Sequence, residues 1–238
     1  MSTVLALIKK ELKTYFNSPI AYIFLTVFLV LTSWMHFRTF FLNNQASMRN
    51  YFVLLPWIFL FFVPAISMRL FSEEKKSGTL EVLMTLPVSD INVVLGKFFA
   101  SFILLALSLL MTLPLYIITA ILGDPDHGVI FTQYFSALLL GAAYLSIGLF
   151  VSSFTKNQII AFIMATVFTF LLLIVGESLL LFTLPAFIAP LFQYIALSTH
   201  FESMARGVID SRDLIYYFSI IFIFLALTSR NLAARKWK

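Results

Sequence analysis

The chain has 238 residues, 61% of them hydrophobic and only 11% charged, with a formal charge of +5, a mean hydropathy of +0.99 and no cysteine. Soluble domains carry about 25% charged residues, so the composition excludes a soluble enzyme and describes an all-α polytopic membrane protein. Without cysteine there are no disulfides, no thiolate catalysis and no Cys-based metal sites. In such a chain the positions of the positive residues matter more than their sum, and no nucleic-acid partner is expected.

Residues 3–18 place Val4, Leu5, Ile8, Leu12, Tyr15 and Phe16 at helical spacing, with Lys9, Lys10 and Lys13 off that stripe. This pattern predicts an interfacial elbow helix with its lysines near anionic headgroups. The alternative is an extension of the first span. Asn17-Ser18-Pro19 argues against it, because the residue before proline is pushed out of helical geometry and proline favours a new first turn. The lysines follow the first apolar residues and no small-residue cleavage site appears, so no cleavable signal is expected.

Six apolar segments follow, at 20–42, 51–70, 98–122, 132–153, 158–183 and 213–230. Each is near the roughly 20 residues needed to cross hydrocarbon. Pro56, Pro64 and Pro114 fall inside them, where proline kinks a helix without breaking it. No polar stretch is long enough to bury a core of its own, so residues 1–238 read as one transmembrane domain. With the N-terminus inside, twelve of the 16 basic residues fall on the cytoplasmic side, among them Lys9, Arg69, Lys75, Lys97, Lys156 and Arg230. That bias predicts two cytoplasmic termini.

Between the second and third spans lies the longest polar break, a cytoplasmic loop over residues 71–97. Gly78 permits a sharp turn. Thr79 is placed to cap a new helix, and Glu81 in its first turn suits the dipole. Leu80, Leu83 and Met84 share one face, and Pro87 limits the helix to about two turns. Ser89-Asp90 caps the next helix. The short amphipathic helix either fills a groove on another protein or lies flat on lipid. Glu73 and Glu74 read as partner contacts or a solvated face.

The run Gly78-Thr79-Leu80-Glu81, preceded by Glu73-Glu74 and followed by Leu83 and Pro87, resembles the coupling loop of type-2 ABC exporter permeases. The likeness covers the whole chain, including the basic first helix, the six spans and a re-entrant outer segment over 184–212. Ser198–Asp213 is similar to the corresponding stretch of the gliding-motility and nitrous-oxide-associated branch. The resemblance implies a second permease subunit, in a homodimer or a heterodimer, and two copies of a cytoplasmic ABC ATPase that bind ATP and magnesium. It implies export or extraction of a substrate across a bacterial inner membrane. The chain has no G-x-x-x-x-G-K-[ST] loop, since Gly96-Lys97 is followed by Phe98, so ATP would have to be bound by another chain.

Glu177, in LLLIVGESLLLF, is a candidate gate because an intramembrane carboxylate usually faces a bundle interior or water. The alternative is a helix-end acid beside headgroups or Arg206. Glu202 and Arg206, spaced i, i+4, can pair on a short helix and belong to the same candidate gate. The alternative there is an interfacial anchor. His36, His127 and His200 show no metal-ligand spacing. An ATP-independent carrier would need broken helices in matching halves, and no such symmetry is evident. A mechanotransmitter would need a separate periplasmic-domain subunit to receive force.

Overall fold

A computed structural model describes residues 3–43, 46–85, 88–182, 185 and 187–234, and every regular element among them is α-helical. Helix α1 (Thr3–Asn17) stops two residues before Pro19, which opens α2 (Pro19–Asn43) as a first-turn proline. Helix α3 (Arg49–Ser67) holds Pro56 and Pro64, and runs into α4 (Arg69–Ser77) across a single-residue break at Met68. Gly78, at φ 73°, turns the chain into α5 (Thr79–Thr85). Helix α6 (Asp90–Leu110) breaks at Met111–Thr112, and Pro114 lies in the first turn of α7 (Leu113–Leu122). Then come α8 (His127–Ser152), α9 (Gln158–Ile174), the short α10 (Ser178–Leu181) and α11 (Ala189–Ile195), α12 (Leu197–Ala205) and α13 (Ser211–Ala233).

Five runs among the described residues are long and apolar enough to cross a membrane: Pro19–Leu42, Arg49–Ser77, Asp90–Leu122, His127–Ser152 and Ser211–Ala233. The segment expected over 158–183 is shorter than its hydropathy implied, because α9 ends at Ile174. Ser198 Oγ donates to the Leu173 carbonyl at 2.8 Å. A Cβ on Gly176 would meet Ala196 Cβ and Ser198 Oγ at 2.5 Å. The returning chain therefore occupies the space a continued helix would need.

Helix α8 is the centre of the bundle, buried along most of its length and packed by α3, α6, α9, α12 and α13. Its small residues Ala137, Gly141, Ala142, Ala143 and Gly148 admit neighbouring helices closely, as small residues do where helices pack in membranes. A Cβ at Gly148 would lie 2.0 Å from Ser67 Oγ on α3. Gly148→Val is expected to cost about 1–3 kcal/mol by overpacking, measured as a lower thermal midpoint in detergent.

The elements gather into two ends. Helix α1, the α4–α5 region, the start of α6, the α8–α9 turn and the end of α13 meet at one, here the basic end. The opposite end holds the α7–α8 turn, the end of α9 and the chain from 189 to 212.

Candidate functional site

Lys97 on α6 is only 3% exposed, and a buried ammonium needs a partner. Its Nζ lies 2.8 Å from Glu74 Oε1 on α4 and 3.1 Å from Glu11 Oε1 on α1. It also sits 5.4 Å from the Phe71 ring centroid. One cation therefore joins three helices. Helix α1 comes close enough because position 96 has no side chain, where a Cβ would lie 2.7 Å from Leu7 Cβ. Asn92 Nδ2 adds a bond to Thr3 Oγ1 at 3.2 Å. Beside the triad, burial together with the Glu11 carboxylate raises the pKa of Tyr15 and keeps it a neutral phenol.

On its other side α4 is held by Lys75, also buried, whose Nζ donates to the Ser153 carbonyl at the end of α8. Asn231 of α13 donates to the same carbonyl at 3.1 Å and to Ser153 Oγ at 2.7 Å. Neighbouring residues 74 and 75 thus tie α4 to α1, α6 and α8. The αL turn at Gly78 carries that fixed helix straight into α5. Leu80 and Leu83 of α5 are buried in the chain's own core and Met84 packs beside them. The outward strip is Lys76, Ser77, Gly78, Thr79, Glu81, Val82 and Thr85, with Val82 65% exposed. A cleft of about 700 Å³ opens between α5 and the end of α13, bordered by Glu81, Met84, Lys156 and Asn231.

At the opposite end, His200 of α12 is buried. Its Nε2 lies 2.9 Å from the Tyr194 carbonyl and its Nδ1 2.6 Å from Asp213 Oδ1 on α13. A carbonyl can only accept, so Nε2 carries a proton there. The ring stacks on Tyr216 at 3.8 Å, and Tyr217 donates to the Leu197 carbonyl at 3.0 Å. These contacts fasten α12 to the start of α13. Hydrogen bonds to ionised groups are worth about 1.5–3 kcal/mol, so Asp213→Ala is expected to speed amide exchange across residues 197–205 about tenfold or more. Unchanged exchange would mean that apolar packing alone holds the segment.

A family model described as ABC-2 family transporter protein matches residues 5–233. The chain belongs to that family. No curated protein matches it. This ABC-2 protein is therefore a multi-pass membrane permease component of an ABC transporter, a transport component that is not itself catalytic, and membership implies association with an ABC ATPase.

Several site residues of the permease lie where sequence spacing did not put them. Glu74, read as a partner contact or solvated face, is turned inward to Lys97, while Glu73 pairs with Arg69 at 2.8 Å on the surface. Leu80 and Leu83, expected to meet a groove on another protein or to lie on lipid, are buried in their own bundle. The reason is that the αL turn at Gly78 folds α5 back against α4, which brings both leucines into the chain's own apolar core. The Thr79 hydroxyl does not cap α5: it pairs with Ser77 Oγ at 2.8 Å and reaches back to the Glu74 carbonyl at 3.5 Å. Ser89 stands at the start of α6, but its hydroxyl makes no capping bond. Pro87, Arg235, Lys236 and Lys238 lie outside the described residues, as do Leu184 and Ala186 of the outer segment. Lys9, Lys10 and Lys13 are exposed along α1.

Glu177 lies beyond the end of α9, not within an apolar helix. It borders a cavity with Glu202 and Arg206, and burial together with the Glu202 carboxylate raises its pKa. Glu202 and Arg206 approach to 3.9 Å, both well exposed. Sequence reasoning missed Glu11, Lys97 as a hub, Lys75 as a tether and Gln133. Only the lysines carried a signal, each being a charge at the edge of an apolar run.

Proposed function

We propose that the permease couples ATP hydrolysis by a separate ATPase to movement of a substrate across a bacterial inner membrane, with the exposed strip of α5 as the docking face. In this reading the basic end is cytoplasmic. Helix α9 completes six crossings, and α1 lies in the interface with Lys9, Lys10 and Lys13 near anionic headgroups. Two ATPase copies bind ATP and magnesium, and a second permease subunit, alike or related, completes the complex. The segment from α11 to α12, with Glu177, Glu202 and Arg206 beside it, serves as the outer re-entrant gate.

One observation carries the reading. Helix α4 is fastened on one side through Glu74 and Lys97 and on the other through Lys75 and Ser153, so a push on α5 reaches α1, α6 and α8 together. The strip left free is small and mixed, with Glu81 and Val82 at its centre. An interface with an apolar anchor in a polar rim has that character. Purification in mild detergent, with every accompanying chain identified, tests it. An ABC ATPase in stoichiometric amount is expected. A periplasmic-domain membrane protein in equal amount would instead mark a mechanotransmitter.

A further inference from the structure

We propose that the opposite end of the bundle holds a binding site for the head of an anionic, hydroxyl-bearing phosphate ester, of which phosphoglycerol is the simplest example. Two adjoining cavities of about 360 and 380 Å³ open there and share Arg49, Gln133, Ala205 and Arg206 as common wall. Gln133 is 2% exposed. Its Nε2 donates to the Ala205 carbonyl at 2.9 Å, which fixes the amide's orientation and leaves Oε1 without a protein donor in the wall that the two cavities share. Oε1 is buried and accepts no hydrogen bond. An unpaired buried acceptor costs about 1–3 kcal/mol, so a hydroxyl donor from a ligand would be favoured there.

The carboxylates sort by cavity, while the two arginines stand in the wall common to both. The first is bordered by Arg49, Arg206 and Asp126. Asp126 Oδ1 is already occupied, accepting from the Gly128 and Val129 amides at 3.0 and 3.1 Å as the cap of α8. Arg49 makes no ion pair with a described residue, and Arg206 has only its 3.9 Å approach to Glu202. Two guanidiniums with spare donors suit a phosphate. The second cavity adds Glu177 and Glu202 as hydroxyl acceptors, with Trp57 and Phe201 as apolar wall. Phosphate in the first and hydroxyls in the second, with Gln133 between, satisfies both. The apolar wall toward α3 and α9 favours an ester that also carries an alkyl chain.

The same head chemistry comes from a lipid or from a soluble phosphate, so the test uses both. The full chain, purified with its accompanying subunits and without ATP, is titrated with dioctanoyl phosphatidylglycerol, dioctanoyl phosphatidylcholine and glycerol phosphate. Binding is read by native mass spectrometry. The site predicts that the phosphatidylglycerol binds about tenfold or more tightly than the phosphatidylcholine, whose head has no hydroxyl donor. Glycerol phosphate binding as tightly as the lipid would assign the site to a soluble ester, and weaker binding to a lipid head. Arg49→Gln with Arg206→Gln, both exposed and safe for folding, should abolish binding of either. Gln133→Met should narrow the preference over phosphatidylcholine, since Glu177 and Glu202 remain as hydroxyl acceptors. Equal binding of the two lipids to the unaltered chain, no binding of any probe, or an unchanged arginine variant would overturn the proposal. None of these readings depends on ATPase docking, so failure of one leaves the other standing.

Discussion

Replacing Lys97 with leucine is expected to lower the stability of the folded permease by about 3–5 kcal/mol, the usual loss when one partner of a buried ion pair is removed. The loss comes from what remains. Glu74 keeps a carboxylate turned into the bundle, with Oε2 already making no hydrogen bond, and Glu11 loses its cation as well. The companion variant Lys97→Leu with Glu74→Leu removes both buried charges and should recover much of the loss, since apolar replacement of a whole pair is often neutral. Glu11, 13% exposed against 17% for Glu74, is still left without its cation, so the recovery stays partial. Denaturation in detergent measures the stability, and amide exchange across α1 and α4–α5 shows where it is lost. A Lys97→Leu protein as stable as the parent, with unchanged exchange at residues 69–85, would mean that packing alone holds α4.

The second large effect separates the two faces of α5. Val82→Asp and Glu81→Lys are expected to weaken ATPase association about thirtyfold or more, the loss typical of an interface hot spot, with no change in thermal midpoint. Leu83→Ala is expected to do the reverse, costing about 2–5 kcal/mol as a large-to-small core substitution. Any loss of association in Leu83→Ala follows from loosening of the helix and should be reversed by conditions that restabilise it. Leu83→Asp mixes the two effects, because its charge would enter the core before reaching a partner. If Val82→Asp and the parent retain the ATPase equally, the docking strip lies elsewhere.

Much of the architecture was readable in the residues. Asn17-Ser18-Pro19 marked the end of the first helix, and Gly78 with Thr79–Thr85 marked a turn and a two-turn helix because only glycine adopts φ 73° at little cost. What could not be read is which surface meets which. Spacing says that Leu80, Leu83 and Met84 share a face, but not whether their own bundle or a partner covers it. The pairing of Lys97 with Glu74 and Glu11 joins residues 23 and 86 positions apart, and no local pattern reports it. Hydropathy continues past Ile174 through SLLLF, so the end of α9 was hidden until Ser198 and Ala196 were seen filling the space beside Gly176. Gln133 reads as one polar residue in an apolar helix. Its unpaired oxygen becomes visible only once Ala205 takes the amide nitrogen.

The central claim is that the exposed strip of α5 meets an ATPase. A photo-crosslinking residue at position 82, activated in native membranes, tests this most directly. A major adduct with a nucleotide-binding subunit is predicted, whereas the same residue at position 30, on the exposed apolar face of α2, should yield no such adduct. An adduct from position 82 only with lipid, or with a protein on the opposite side of the membrane, would contradict the account.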